Sequence, residues 1–364
     1  MILKSRLGWA AIVALLFLPS LTLGAREVTH ATPLPEAVLR QKIVNYLRNY
    51  GYYPPNIQVD TGPLESSQNP AYYECHLSAA ANGKSASEID SISKNGRYLA
   101  RSAMYYLGPD AKAGLLRSIR DRFKLGTEWQ LSAGPLQPSA VPGFFQANVT
   151  AERNGKKQSQ DFYVTDDKRF AVLGQLFILR TPKEVESLIN TRNQPHSGPL
   201  DAPVTLVEYA DLECPHCAEL QGFLENVLLP RYGNKVRLIY KDFPIPSHDW
   251  SREAAIANQC SYEIDPSAFV PYRTSIFAQQ AAINVTNVRE MLLNLGEQAG
   301  INRLRLAACL DAKTSLPRVE ADYNEALRLQ VFFTPTCFID GRPVVGNAPE
   351  DYYRIIDEEL RRAK

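Results

Sequence analysis

The 364-residue sequence has almost no charge of one sign: 40 Lys and Arg against 39 Asp and Glu leave +1. That balance lacks the global field that draws a protein along nucleic-acid phosphates or onto anionic lipid, although local patches remain compatible with it. Long apolar runs are missing beyond the first 25 residues, so no later segment offers the roughly 20 apolar residues a bilayer-spanning helix needs. Cysteine is sparse, with six in the chain. A zinc knuckle would need a second closely spaced ligand pair and none exists, so no metal is expected. At 45% hydrophobic and 22% charged residues the composition excludes a disordered or collagen-like chain. The length suits two domains.

What is present begins with an export-type start over 1–25. Lys4 and Arg6 precede an apolar run from Trp9 to Leu18, Pro19 and Ser20 break it, and Gly24–Ala25 offers a cleavage point. An uncleaved anchor is the alternative. The expected location is periplasmic or secreted, membrane-tethered if the segment stays, and disulfides persist there. Six cysteines allow 15 connectivities. A chain this long needs no cysteine staple for its core, so each cysteine requires its own explanation.

Set against itself with an offset of 72, the sequence repeats. Gly62-Pro63-Leu64 falls on Gly134-Pro135-Leu136, Asn82-Gly83-Lys84 on Asn154-Gly155-Lys156, Arg97 on Arg169 and Leu107 on Leu179. Each copy opens with an apolar stripe at helical spacing: Leu39, Ile43 and Leu47, then Leu115, Ile119 and Phe123. Short strand candidates follow, joined at Asn-Gly turns that tolerate positive φ. The pattern predicts two α+β modules, over 33–110 and 111–190, side by side or swapped, the second module's bounds taking in a further helix from Pro182 to Ile189 that follows the second copy. A linker rich in Pro, Gly and polar residues is expected over 191–203.

The character then changes to α/β over 204–364. Val204 to Tyr209 reads as a strand, followed by a turn and a helix with Leu220, Phe223, Leu224, Val227 and Leu228 on one face. Val236 to Phe243 reads as a second strand, giving β-α-β with a parallel pair. A helical stretch spans about 250–330. A hairpin about Asp340-Gly341 and a closing helix with Tyr352, Ile356 and Leu360 complete it.

Where the first strand hands over to its helix stands Cys214-Pro215-His216-Cys217. Two intervening residues at a helix start bring both sulfurs onto the first turn. The first sulfur faces unpaired N–H groups and the positive end of the helix dipole, which stabilises a thiolate. Pro215 supplies a preset φ and has no N–H to leave unbonded there. Protonated His216 would add positive charge beside the sulfur. Cys214 is expected to be exposed and attacking, Cys217 one turn inside and resolving. Stabilising the reduced thiolate makes the corresponding disulfide a stronger oxidant. A purely structural disulfide and an idle reduced pair are the competing readings.

The run from Asp201 through Asp211 into Cys214-Pro215-His216-Cys217 resembles the DsbA-like thioredoxin-fold thiol oxidoreductases. Phe333-Thr334-Pro335-Thr336 stands where that family carries its cis-proline loop, and Lys241-Asp242-Phe243-Pro244 with His248 resembles its second strand and the turn beyond. The resemblance covers roughly 195–364. It implies a thioredoxin fold with a helical insertion, a cis Pro335 beside the active sulfurs, and a Thr334 backbone that pairs with an extended substrate strand. It also implies a structural disulfide between Cys260 and Cys309, which two buried thiols would replace otherwise. Cys75, aligned with Ala147 in the repeat, and Cys337 are expected unpaired, and His248 is expected to be a packing residue.

The segment from Phe162 to Leu176 weakly resembles the region before the catalytic domain of DsbC-like isomerases, which dimerise through it; a spacer or docking module is the equal alternative. The resulting expectation is an exported thiol–disulfide oxidoreductase, oxidase or isomerase, acting on cysteine-containing clients. It needs no cofactor beyond its two sulfurs, relies on a redox partner, and forms a possible homodimer. A redox-insensitive module that holds peptides at the Pro335 edge is the rival from another class.

Overall fold

The computed structural model describes residues 33–49, 57–81 and 84–363. The export segment and the Asn82-Gly83 turn lie outside them. Among the described residues no helix is long and apolar enough to cross a membrane. The chain divides into two compact units, one ending at Arg180 and the other beginning at Thr181.

The first unit is the repeat made physical. Helix α1 (Glu36–Asn49) is followed by β1 (Gln58–Thr61), β2 (Glu65–Ser66), β3 (Tyr72–Ala81), β4 (Lys84–Ser93), β5 (Tyr98–Ala100) and β6 (Met104–Tyr106). Helix α2 (Ala111–Arg122) then opens the second copy: β7 (Gln130–Ala133), β8 (Gln137–Pro138), β9 (Phe144–Arg153), β10 (Lys156–Thr165), β11 (Phe170–Val172) and β12 (Leu176–Ile178). Every strand recurs 72 residues later. Leu39, Ile43 and Leu47 are buried on α1, Leu115 and Ile119 on α2. Asn154 and Gly155 both take positive φ at the β9–β10 turn.

The copies exchange their last strands. One sheet runs β1-β3-β4-β5-β12, the other β6-β11-β10-β9-β7. The exchange is reciprocal down to single bonds: Leu107 N donates to Arg169 O and Leu179 N to Arg97 O. The swapped ends share one core, in which Tyr72, Tyr98 and Met104 meet their counterparts Phe144, Phe170 and Leu176.

At one buried cross-strand pair the copies differ in polarity. Ala147 and Phe162 pack in an apolar cluster in the second copy; at the same places the first has Cys75 and Asp90, paired across β3 and β4 and buried. Arg101 lies 3.4 Å from Asp90 and also pairs with Glu88. Burial pushes the Asp90 carboxyl up to about 8.

In the second unit α3 (Pro182–Leu188) precedes β13 (His196–Ser197), β14 (Val204–Ala210), α4 (Pro215–Phe223), α5 (Leu229–Tyr232) and β15 (Val236–Asp242). The insertion holds α6 (Ser251–Ile264), α7 (Phe269–Ala278), α8 (Val288–Gln298), α9 (Arg303–Ala312) and α10 (Leu316–Arg328). Then come β16 (Thr336–Ile339), β17 (Arg342–Val345) and α11 (Pro349–Arg362). The sheet order is β13-β15-β14-β16-β17, with β14 parallel to β15 and antiparallel to β16.

Three readings of the sequence are corrected. The helix at Pro182 falls outside the second module: its Val185 packs with Val207, Ile239 and Phe338 of the second unit. The 191–203 segment is not a free linker, because His196–Ser197 add an edge strand to β15. Val227 is 46% exposed; a π-helical stretch at Leu224–Leu228 widens the turn and rotates it off the face that Leu220, Leu224 and Leu228 bury. At the β16–β17 turn Asp340 and Gly341 both have positive φ. A Cβ on Gly341 would stand 2.0 Å from Pro182 O, so only glycine fits.

Cys260 on α6 and Cys309 on α9 are joined by a disulfide that closes 49 residues. Replacing both with alanine is expected to lower the unfolding free energy by about 2–4 kcal/mol, read from denaturant midpoints. The first unit has its own pH signature. Folded Asp90 holds its proton up to about pH 8, whereas unfolded it releases it near pH 4. Stability therefore falls as pH rises through that window. Asp90→Asn should flatten the slope in unfolding curves taken across it.

Candidate functional site

Sheet register brings the two sequence motifs together. Tyr209 of β14 pairs with Thr336 of β16, so the loop before β16 arrives beside the turn that follows β14. The Thr334–Pro335 bond is cis, and Thr334 O lies 3.6 Å from Cys214 Sγ. The loop is held on both sides: Gly346 N donates to Pro335 O and Thr336 Oγ1 to Phe333 O.

The turn into α4 is fixed by two carboxylates. Asp211 accepts from Glu213 N at 2.7 Å, Ile245 N at 2.6 Å and His248 Nδ1 at 2.9 Å. Glu213 accepts from the backbone N–H groups of Trp250 and Ser251, so it caps α6 from outside that helix. From the insertion, Gln280 Nε2 donates to the carbonyls of Leu212 and Cys214. His248 is thus tied to Asp211 within the scaffold.

Cys214 is the N-cap of α4 and Pro215 its first residue. Cys214 is not the exposed residue expected: it keeps 6% of its surface, and Cys217 keeps none. The insertion accounts for this, since both sulfurs belong to a cluster with Trp250, Phe277 and Ile283. Both cysteines are thiols here, as are buried Cys75 and Cys337.

The two thiols are pushed in opposite directions. Cys214 is lowered to about 5, chiefly by its hydrogen bond from Cys217. Burial works against that, while the Thr334 side chain and the N–H groups of Cys217 and His216 reinforce it. Cys217 is raised well above the ordinary thiol range, first by burial, then by its bond to Cys214 and that sulfur's charge. Asp211 N, 3.4 Å from Cys217 Sγ, opposes the rise. One sulfur is therefore anionic at neutral pH and its neighbour protonated.

His216 contributes less than the sequence suggests. Its ring is 70% exposed and turned to Glu219 at 3.1 Å, the hydrogen bond that raises its pKa most. At Cys214 it adds its backbone N–H, and its charge interaction with that sulfur is the least of the causes acting on the ring.

Sequence reasoning missed Glu208. It lies fully buried on β14, with Oε2 bonded to Arg273 at 2.9 Å and no hydrogen-bond partner at Oε1. Its charge raises Cys217. The available signal was a carboxylate inside an otherwise apolar strand, six residues before Cys214. Among the described residues no group of three or more His, Cys, Asp and Glu could hold a metal ion.

A parallel β-α-β start, an antiparallel hairpin, a cis-proline loop and a CxxC at a helix tip make this a thioredoxin fold. Residues 190–358 match the thioredoxin family model, and the helices α6 to α10 are inserted into that fold between β15 and β16.

The chain is 32% identical over 165 residues to the Na(+)/H(+) antiporter NhaA of Herminiimonas arsenicoxydans, covering 45% of this chain and 25% of that protein. It is 27% identical over 161 residues to a Rickettsia typhi protein provisionally named a protein-disulfide oxidoreductase, covering 43% of this chain and 58% of that one. Among solved structures it is similar to oxidised BdbD from Bacillus subtilis, at 24% identity and a TM-score of 0.45, covering 47% of this chain and 95% of BdbD. The chain thus spans a quarter of the antiporter's length and less than two thirds of the Rickettsia protein's.

Ultraviolet thiolate absorbance of the reduced protein should show a step with its midpoint near pH 5, assigned by its loss in Cys214→Ala. The depressed pKa stabilises folded reduced protein above the ordinary thiol range, and this contribution is lost as pH falls through about 5. Cys217→Ala, which removes the principal hydrogen bond, should move the midpoint upward.

Proposed function

We propose that the protein is an exported thiol–disulfide oxidoreductase whose redox centre is the Cys214–Cys217 pair. The supporting observation is the opposed environments of the two sulfurs. In the disulfide form a client thiolate attacks Cys214. The Cys214–Cys217 bond breaks, and its electron pair leaves on Cys217, which takes up a proton. A second client thiolate attacks the client sulfur of the mixed disulfide, releasing Cys214 as a thiolate. Two electrons pass from two client thiolates to the pair, and one client disulfide forms. A redox partner that accepts two electrons then restores the pair.

Direction follows from the anion. A thiolate held near pKa 5 stabilises the reduced pair, which favours oxidation of clients over reduction. Thr334, whose carbonyl touches Cys214, is the backbone position an extended client segment would meet, with Pro335 holding the loop. The isomerase reading draws on the strand-rich first unit, in which two copies share one core within a single chain. A peptide holder without redox chemistry would make no use of the lowered Cys214.

Cys214→Ala should abolish exchange with reduced client proteins, and Cys217→Ala should accumulate client adducts visible on non-reducing gels. Full activity of both variants would defeat the proposal. Recovery of scrambled ribonuclease without added oxidant would favour isomerase over oxidase.

A further inference from the structure

We propose that Arg273, contributed by the helical insertion, is a positioning residue that sets the redox equilibrium of the Cys214–Cys217 pair through Glu208. The inference rests on that pair being the redox centre.

Arg273 lies on α7 and is fully buried. Its guanidinium gathers groups from three other elements. It donates to Glu208 Oε2 on β14 at 2.9 Å and to Gln221 Oε1 on α4 at 3.1 Å, and lies 3.7 Å from Asp242 Oδ1 on β15. The rings of Tyr240 and Phe277 stand 5.3 and 5.0 Å from it. Asp242 is held in turn by Asn258 and Gln259 of α6.

The groups that face Glu208 and Cys217 are otherwise acids or neutral. Asp211 and Glu208 come from β14 and its turn, Asp242 and Tyr240 from β15, Cys337 from β16, Tyr352 from α11, and Gln221 and Glu225 from α4 and the stretch after it. Among the described residues Arg273 is the cation at Glu208, and His216 interacts through charge with Cys214. Burying it is costly, and a core that needed only packing would use an apolar side chain of that volume. Here it offsets Glu208, whose charge opposes a second negative charge at Cys217.

The consequence is a sign. Reduction by glutathione moves two electrons from two glutathione thiols into the pair. One sulfur leaves the step as the Cys214 thiolate, the other takes one of the two thiol protons as Cys217, the second proton passes to solvent, and glutathione disulfide is released. A cation nearby favours this product and an anion disfavours it. Removing either partner of an ordinary structural ion pair costs stability alone. Here the two removals push the redox equilibrium in opposite directions.

The test equilibrates the full chain with glutathione between about pH 6 and about pH 9. The Arg273→Met variant leaves Glu208 without its counter-ion, so burial raises that carboxyl further above the ordinary range. The variant's equilibrium constant for reduction should fall progressively below the parent's as pH rises, by on the order of tenfold at the alkaline end. Arg273→Lys should recover most of the difference, and Glu208→Gln added to Arg273→Met should abolish the divergence. Glu208→Gln alone should shift the parent several-fold the other way, and it decides the matter if Arg273→Met does not fold. A folded Arg273→Met that tracks the parent at every pH, or a Glu208→Gln shift in the same direction, overturns the inference. A parent pair that does not exchange with glutathione at all overturns the oxidoreductase reading and this inference with it.

Discussion

A thiolate that has lost most of its water persists only where fixed dipoles replace it, and the second unit is arranged around that requirement. Cys214 keeps 6% of its surface, yet its thiol is held near pKa 5 by the Cys217 hydrogen bond and by groups converging from the helix tip and the Thr334 loop. Each contributor reaches the sulfur by a different structural route. The helix tip is delivered by the turn after β14, which Asp211 pins through three bonds. The loop is delivered by the pairing of Tyr209 with Thr336. A slip of one residue in that pairing would turn every side chain of β16 to the opposite face and move Thr334 away from the sulfur.

The same turn of helix creates the difference between the cysteines. Cys214 sits where N–H groups are unpaired, and Cys217, three residues on, lies wholly inside with a carboxylate beneath it. Burial alone would raise both thiols. The dipoles at the tip reverse the effect for one and leave it uncorrected for the other. The difference between the two sulfurs therefore follows from position along a single helix start.

Much of this was legible in the sequence because the signals are local. Cys214 to Cys217 after an apolar strand, the Asp340-Gly341 turn and the 72-residue repeat each depend on neighbours in the chain. The strand exchange was not legible. Met104–Tyr106 and Leu176–Ile178 carry the same strand pattern whether they pair within their own copy or across, and only the three-dimensional closure decides. Cys214 was read as exposed because the cover over it comes from the insertion, far along the chain. Arg273 was missed for a related reason. A lone arginine in an apolar helical segment reads as an exposed charge, and its partners lie 65 and 52 residues away.

The two buried charge systems of the second unit show why the sheet can carry them. Lys241 and Asp242 are neighbours on β15, so their side chains leave on opposite faces. Lys241 meets Asp322 and Glu325 of α10 at 2.8 and 3.0 Å, and Tyr209 donates to Glu325 at 2.6 Å. Asp242 meets Arg273 on the face that also holds Glu208. The Lys241 group ties α10 and, through Asn190 N, the segment before β13 to the strand. It meets the other charge system at Asp242, whose backbone N–H donates to Asp322. The Arg273 group joins β14, β15 and α7 to α4, the helix that carries Cys217. Arg273 comes from the insertion and interacts through charge with Cys217, so the helical insertion is electrically part of the site it covers.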